Sequence, residues 1–237
     1  MSENARKRDI DLISPELRNL LKSISTPKKI SKGSFLFQEG MESEEIYLIQ
    51  DGLVQISKLT VDGKELTLRI CKRDDIVGEL TLFSDNAKYM LSALAVEDSE
   101  ILTIKKEKLE QELVKNSELT FEFMKWVSTH LRKIQSKIRD LVLSGKKGAL
   151  YSTLIRLSNS YGVQKEEGIL IDLSLTNQDL AKFCASTRES VNRSLSELRK
   201  LGILSTEPSG KLFIRDIEHL KAEIGCEYCS VDICNID

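Results

Sequence analysis

From Ser117 to Leu143 the chain runs without a proline or a glycine. Within that stretch Met124, Val127, Leu131, Ile134, Ile138 and Leu141 recur at alternating steps of three and four, the a/d seam of a coiled coil. At 1.5 Å per residue such a helix is ~40 Å long, more than one small domain can cover. A narrow apolar stripe on a helix of this length predicts pairing with the same helix of a second subunit, giving a parallel homodimer. The alternative is a core helix lying across its own domain. Arg132, Lys133, Lys137 and Arg139 then fall on the flanks, in solvent.

The preceding residues have a different period. Between Ile30 and Ile104 short apolar runs are separated by Lys32-Gly33, Glu39-Gly40, Asp51-Gly52 and Asp62-Gly63, the punctuation of β-hairpins. Glu65 to Ile70 alternates with period two, and EIYLIQDGLVQISKL reads as two strands joined at Asp51-Gly52. This predicts an antiparallel β-barrel or jelly roll.

After the long helix, Ser144-Gly145-Lys146-Lys147-Gly148 predicts a hinge. Leu150 to Leu157 reads as a helix and Gly168 to Ile171 as a short strand. Thr176 caps a helix with Asp179 three residues on, and Ala181 gives a second helix room to approach. Ser186 is expected to cap that second helix, with Glu189 three residues on, and Gly202 ends it. Two short helices joined by Cys184-Ala185-Ser186 make a helix-turn-helix, and Ile203 to Ile214, turning at Pro208-Ser209-Gly210, supplies a wing. The overall class is α+β: a β-roll over residues 1–115, a dimerisation helix over 116–144, a winged helix-turn-helix over 145–215, and a C-terminal helix with a cysteine tail over 216–237.

In a helix-turn-helix the first residues of the second helix reach base edges in the major groove of double-stranded DNA. Here these are Thr187, Arg188, Glu189, Asn192 and Arg193. Arginine donates two parallel bonds to guanine and glutamate accepts from the cytosine amino group, so the set suits G·C pairs. The competing readings are a capping role for Glu189 and a solvated helix face for the arginines. The net charge of −2 gives no global signal for nucleic acid, so the surface must be a local patch, and Lys182, Arg188, Arg193, Arg199 and Lys200 supply one.

The tail GCEYCSVDICNID carries Cys226, Cys229 and Cys234, three of five cysteines. The start, MSENARKRDIDLIS, has no apolar core of a signal peptide, and no stretch approaches the roughly 20 apolar residues of a membrane span. A cytoplasmic protein without a membrane partner is expected, and in that reducing compartment clustered thiols point to metal or redox ligands. C-x2-C-x4-C spacing suits zinc or an iron–sulfur cluster, one ligand short of four. His219 lies nearby as a possible zinc ligand, and a surface position is the simpler reading. Two well-separated histidines and no nucleophile constellation exclude an evident enzyme. A ferredoxin-like carrier leaves the winged helix without a purpose. Cys71 and Cys184 read as small buried hydrophobes.

Barrel, long helix, hinge and winged helix together resemble the CRP/FNR family of bacterial transcription regulators over nearly the whole chain. The family's R-E-x-V-x-R recognition pattern stands as Arg188, Glu189, Val191 and Arg193. It implies a palindrome close to TGTGA and TCACA, with half-sites about one helical turn apart. Family members that read TTGAT usually lack the first arginine and have serine where this chain has Asn192. The barrel then resembles a cyclic-nucleotide-binding domain, and Val77 to Phe83 its phosphate cassette. Tyr89 stands where the phosphate-binding arginine belongs, so no cofactor is expected in the β-roll and cyclic AMP is not an expected ligand. Gly78 and Glu79 become a turn glycine and a satisfied acid.

The tail, closing in I-C-N-I-D, is similar to that of the oxygen-sensing FNR subgroup of Gram-positive bacilli. The resemblance implies a [4Fe-4S] cluster on Cys226, Cys229 and Cys234. It also implies a fourth ligand from Asp140, in the stretch Lys137-Ile138-Arg139-Asp140-Leu141. The plain alternative for Asp140 is a salt bridge to Arg139, Lys137 or a partner-chain residue. The implied role is oxygen-responsive regulation, mainly activation, of anaerobic and nitrate respiration genes, with RNA polymerase as a partner. A further alternative is a CRP-like regulator with a small-molecule effector in the β-roll and a zinc or redox-thiol tail.

Overall fold

A computed structural model describes residues 13–60 and 63–236. The basic N-terminal stretch up to position 12, Asp62 of the fourth turn signal and the closing Asp237 lie outside the described residues. The chain divides into two compact units, and the long helix runs from one into the other, its residues through Thr129 grouping with the first and those from His130 with the second.

The first unit is a two-sheet β-roll. Strands β1 (Ser25–Ile30), β3 (Glu45–Asp51), β6 (Ile76–Val77) and β8 (Ser99–Lys105) form one sheet in the order β1-β8-β3-β6. Strands β2 (Phe35–Phe37), β4 (Val54–Leu59), β5 (Glu65–Cys71) and β7 (Ser92–Ala95) form the other in the order β2-β7-β4-β5. The pairings of β8 with β1 and β3, of β3 with β6, and of β7 with β2 and β4 are antiparallel. Strand alternation builds two cores from the same strands. Tyr47, Ile49 and Ile101 point into the space between the sheets, with Phe37, Val54, Ile56, Cys71 and Tyr89. Ile46, Leu48, Leu102 and Ile104 point the other way, against helices α1 (Pro15–Ser23), α2 (Lys106–Lys115) and α3 (Ser117–Leu143). From α3 this core takes Phe123 and Trp126, whose ring centroids are 5.8 Å apart.

Asp51-Gly52 is not a hairpin. It carries the chain from β3 in one sheet to β4 in the other. Gly52 has φ +92°, and a Cβ there would come within 2.2 Å of the Ser99 hydroxyl oxygen, so the crossing requires glycine.

Along α3, Met124, Leu131 and Ile138 are each at least half exposed, while Val127, Ile134 and Leu141 are half-buried. The a/d stripe is therefore an unpartnered apolar face within the single chain. The flank expectation needs correction. Lys133 and Lys137 are 4% and 7% exposed, in line with His130 and Asp140, which are also buried. Near its C-terminal end Phe183 lies against Lys137 and Arg156 against Asp140, on a side that periodicity alone assigned to solvent.

The second unit centres on α4 (Gly145–Tyr161), whose residues Gly148 to Ser158 are all buried. A helix buried on every side is the core of its domain. The expected hinge is much shorter than Ser144 to Gly148, because Ser144 alone separates α3 from α4. Gly145 turns with φ +62°, and the Gly148 N–H already donates to the Ser144 carbonyl at 3.1 Å. A four-stranded sheet follows, ordered β11 (Leu204–Thr206), β12 (Leu212–Ile214), β10 (Gly168–Ile171) and β9 (Gly162–Lys165). Sequence reading found β10 and the wing strands β11 and β12, and missed the weakly apolar β9. Helices α5 (Asn177–Phe183), α6 (Arg188–Lys200) and α7 (Ile217–Glu223) complete the unit. Among the described residues no helix is long and apolar enough to cross a membrane.

Candidate functional site

The helix-turn-helix is built by its caps. Thr176 accepts from the Asp179 N–H while Asp179 accepts from the Thr176 N–H, a complete capping box at the start of α5. The turn runs through Ala185 in the left-handed region (φ +48°). The cap of α6 is Thr187, not Ser186: the Thr187 hydroxyl accepts from the Ser190 N–H at 3.2 Å. The Ser186 hydroxyl oxygen is buried with no hydrogen-bond partner. The left-handed residue delays the helix by one position, which sequence spacing could not register. Glu189 keeps a local role, since its own backbone N–H and then the Thr187 hydroxyl hold its carboxyl below the usual range.

Val191, Leu195 and Leu198 anchor one face of α6 in the core. The opposite face carries Arg188, Glu189, Asn192 and Arg193, which with Thr187 are all exposed. Asn192 accepts from the Asn177 side-chain amide at 3.0 Å, tying the two helices of the motif together. Four polar side chains within two turns of an anchored, solvent-facing helix can meet a groove edge without rearranging the fold.

The second cluster lies at the C-terminal end of α3. Asp140, in its last turn, is 9% exposed. Its Oδ2 accepts from Arg156 Nη2 at 2.7 Å and from the Ser152 hydroxyl at 2.7 Å, and its Oδ1 accepts from Arg139 at 3.1 Å. Burial alone would raise this carboxyl. The bonds from Arg156 and Ser152 outweigh it and hold Asp140 below the usual carboxylate range. The salt-bridge reading therefore holds for Arg139, while Arg156, the strongest partner, escaped sequence analysis. Its signal was present: one arginine stands in the apolar run Leu154-Ile155-Arg156-Leu157.

The tail docks on α4. Asn159 Nδ2 donates to the Cys234 carbonyl at 2.5 Å, and the Ile236 N–H donates to the Ser160 hydroxyl at 3.0 Å. Ile233 and Ile236 are buried. Arg139 also reaches Cys229 Sγ at 3.8 Å and pairs with Glu227. Cys226, Cys229 and Cys234 line one cavity of about 230 Å³ together with Arg139, Asp140, Ser152 and Arg156; His219 does not line it. Burial pushes the Cys234 thiol up. Among the described residues no three His, Cys, Asp or Glu side chains stand close enough together to hold a metal ion in this conformation. Three thiols and a carboxylate nonetheless line the one cavity, flanked by two guanidinium groups. Its volume is many times what one water or one bare ion occupies. The other cysteines, Cys71 and Cys184, are buried elsewhere.

In the β-roll, Gly78 adopts φ +91° at the start of a short 3-10 turn, and Glu79 is buried on Arg69 Nη1 at 3.1 Å. Tyr89 stacks on Phe37 with centroids 3.8 Å apart, and its hydroxyl donates to the Glu45 carbonyl at 2.6 Å.

Residues 27–116 match the cyclic nucleotide-binding domain family, and residues 148–223 the Crp-like helix-turn-helix domain family. The chain is 64% identical over 234 residues to the anaerobic regulatory protein of Bacillus subtilis strain 168, covering 99% of this chain and 98% of that one. It is 30% identical to the global nitrogen regulator of Nostoc sp. PCC 7120, over 72% of this chain and 77% of that one. Among solved structures, a CooA mutant from Carboxydothermus hydrogenoformans superimposes with a TM-score of 0.75 at 22% identity, covering 90% of this chain and 95% of that one. The c-di-GMP responsive global regulator CLP of Xanthomonas campestris gives 0.74 at 20%, covering 86% and 100%. With a barrel, a long helix and a capped, solvent-facing recognition helix all in place, the chain belongs to the CRP/FNR family of transcription regulators and is not an enzyme.

Proposed function

We propose that this regulator responds to oxygen through a [4Fe-4S] cluster held by Cys226, Cys229, Cys234 and Asp140. We further propose that it acts as a homodimer on a TGTGA-like palindrome, mainly as an activator of anaerobic and nitrate respiration genes in contact with RNA polymerase. The observation that carries the reading is the common cavity: three tail thiols and a carboxylate about ninety residues upstream line one space at the end of the dimer helix. The high identity to a protein named for anaerobic regulation supports the physiological part. When bound, the cluster would supply an oxygen-labile iron–sulfur centre.

The chain's own contribution is geometric. Helix α3 carries both the exposed seam and Asp140, and the tail rests on α4 of the DNA-binding domain. Whatever changes the seating of the tail biases the angle at Ser144, the single residue joining α3 to α4, and so the spacing of two recognition helices in a dimer. The Cys234 thiol, raised by burial, becomes a ligand only on losing its proton, and the adjacent guanidinium of Arg156 favours that loss. The β-roll reading is that no cyclic AMP binds, supported by Tyr89 at the expected arginine position and by Arg69 already occupying Glu79.

The test is iron and acid-labile sulfide analysis with visible spectroscopy on protein prepared without oxygen, wild type and Asp140→Ala, before and after air. Four irons per chain in the wild type, fewer in the variant, and DNA binding lost with the colour are expected. Zinc alone in the anaerobic wild type would overturn the reading.

A further inference from the structure

We infer that Arg156 is the positioning residue of the cysteine site, seating the tail against Asp140 before any metal binds. The inference rests on the reading of the three cysteines and Asp140 as one ligand set, and adds a residue that belongs to no ligand motif.

Arg156 is 1% exposed at the centre of α4. Its guanidinium donates to three separate segments. Toward α3, Nη2 reaches Asp140 Oδ2 at 2.7 Å and the Ser136 hydroxyl at 2.9 Å. Within α4, Nε reaches the Ser152 hydroxyl at 3.2 Å. Toward the tail, Nη1 reaches the Ile233 carbonyl at 3.3 Å and the Asn235 carbonyl at 3.4 Å, the two backbone groups that flank Cys234. A planar fork of fixed donors can join one carboxylate to two carbonyls on another segment, whereas a lysine offers a single point charge. A buried guanidinium also enforces the arrangement, because any partner that leaves uncovers a desolvated charge.

The two arginines on Asp140 therefore differ in kind. Oδ2 is held in the interior by Arg156 and Ser152. Oδ1 is held by Arg139, which is half-buried and shared with Glu227 and Cys229. Arg139 can swing to solvent and leave Oδ1 available, while Arg156 keeps the carboxylate and the Cys234 segment in register.

The test uses full-length protein without metal. Alkylation rates of Cys234 and Cys226 by N-ethylmaleimide, resolved by mass spectrometry and expressed per thiolate from their pH dependence because Arg156 also favours the Cys234 thiolate, are compared in wild type, Arg156→Gln and Arg156→Lys, with hydrogen exchange over residues 231–236 in parallel. Loss of the charge-assisted bonds to the tail raises Cys234 modification by about tenfold in Arg156→Gln. Arg156→Lys, which retains the buried charge, guards against a variant that fails to fold and gives a smaller rise. Cys226, outside the segment held by the clamp, changes less than about twofold in both. The same preparations are then loaded with iron and sulfide. Wild type that takes up no iron overturns the ligand-set reading. Wild type that loads, with Cys234 rates in both variants within about twofold of its own, overturns the role of Arg156 alone.

Discussion

Replacing Lys137 with methionine should stabilise the protein at pH 7 and lose that advantage as pH rises. Lys137 projects from α3 into the second unit, its Nζ 5.0 Å from the centre of the Phe183 ring. Burial, and then repulsion from Arg156, lower its ammonium from the ordinary 10.5 to about 7, against a smaller opposing pull from Cys184. The Cys184 thiol, also buried and 3.5 Å from the Thr153 hydroxyl, is pushed up to about 11. The amine therefore titrates within the neutral range while the thiol stays protonated. The unfolded chain keeps the lysine proton up to about pH 10.4, whereas the folded chain releases it near 7. Unfolding thus takes up a proton throughout that window, and wild-type stability rises with pH across it. The penalty of carrying Lys137 is about 4–5 kcal/mol at pH 7 and falls below about 1 kcal/mol at pH 10. Methionine fills a similar volume without the amine and forfeits the contacts of the ammonium, that with the Phe183 ring among them, which leaves an expected gain of about 2–4 kcal/mol at pH 7. Urea unfolding at pH 7, 8.5 and 10 reads this as an upward shift of the midpoint at constant slope that shrinks with pH. A variant less stable than wild type at pH 7, or a gain independent of pH, would refute the reasoning.

Other expectations follow from single contacts. Arg188→Ala should cost about 1–3 kcal/mol of discrimination at one guanine of the half-site, read as relaxed preference at that position in a selection from random DNA; unchanged preference removes Arg188 from the base-reading set. Ile138→Asp places a charge on the exposed α3 stripe and should convert a dimer to monomer at micromolar concentration in sedimentation equilibrium, and a dimer that survives it argues against the seam. Tyr89→Phe deletes a bond to the Glu45 carbonyl and should lower β-roll stability by about 1 kcal/mol. Leu48→Ala, in the core that joins the barrel sheet to α1, α2 and α3, should lower it by about 2–5 kcal/mol in denaturant unfolding.

Much of the fold was legible because its signals are local. Thr176 and Asp179 lie in one turn of chain, and their capping box needs nothing beyond it. The a/d stripe and the turn glycines are likewise periodicities of a single segment. The errors fall where a distant segment decides. Asp51-Gly52 reads as a hairpin until strand pairing places β3 and β4 in different sheets. Ser186 and Thr187 both suit a cap, and the choice between them depends on Ala185 entering the left-handed region. Lys133 and Lys137 read as solvated, but both are buried, Lys137 against the Phe183 ring.

The sequence by itself determined the order of the elements, the apolar seam, the polar face of the recognition helix and the presence of a thiol-rich tail, since each follows from residue type and spacing along one stretch of chain. Tertiary structure alone decided that Cys226, Cys229, Cys234 and Asp140 share a cavity, and that Arg156 joins the tail to α3. Such juxtapositions arise when α4, buried on all sides, must satisfy an internal charge with groups from segments sixteen residues before it and nearly eighty after it. No local pattern encodes that requirement, because a buried guanidinium finds its partners only after the core has closed around it.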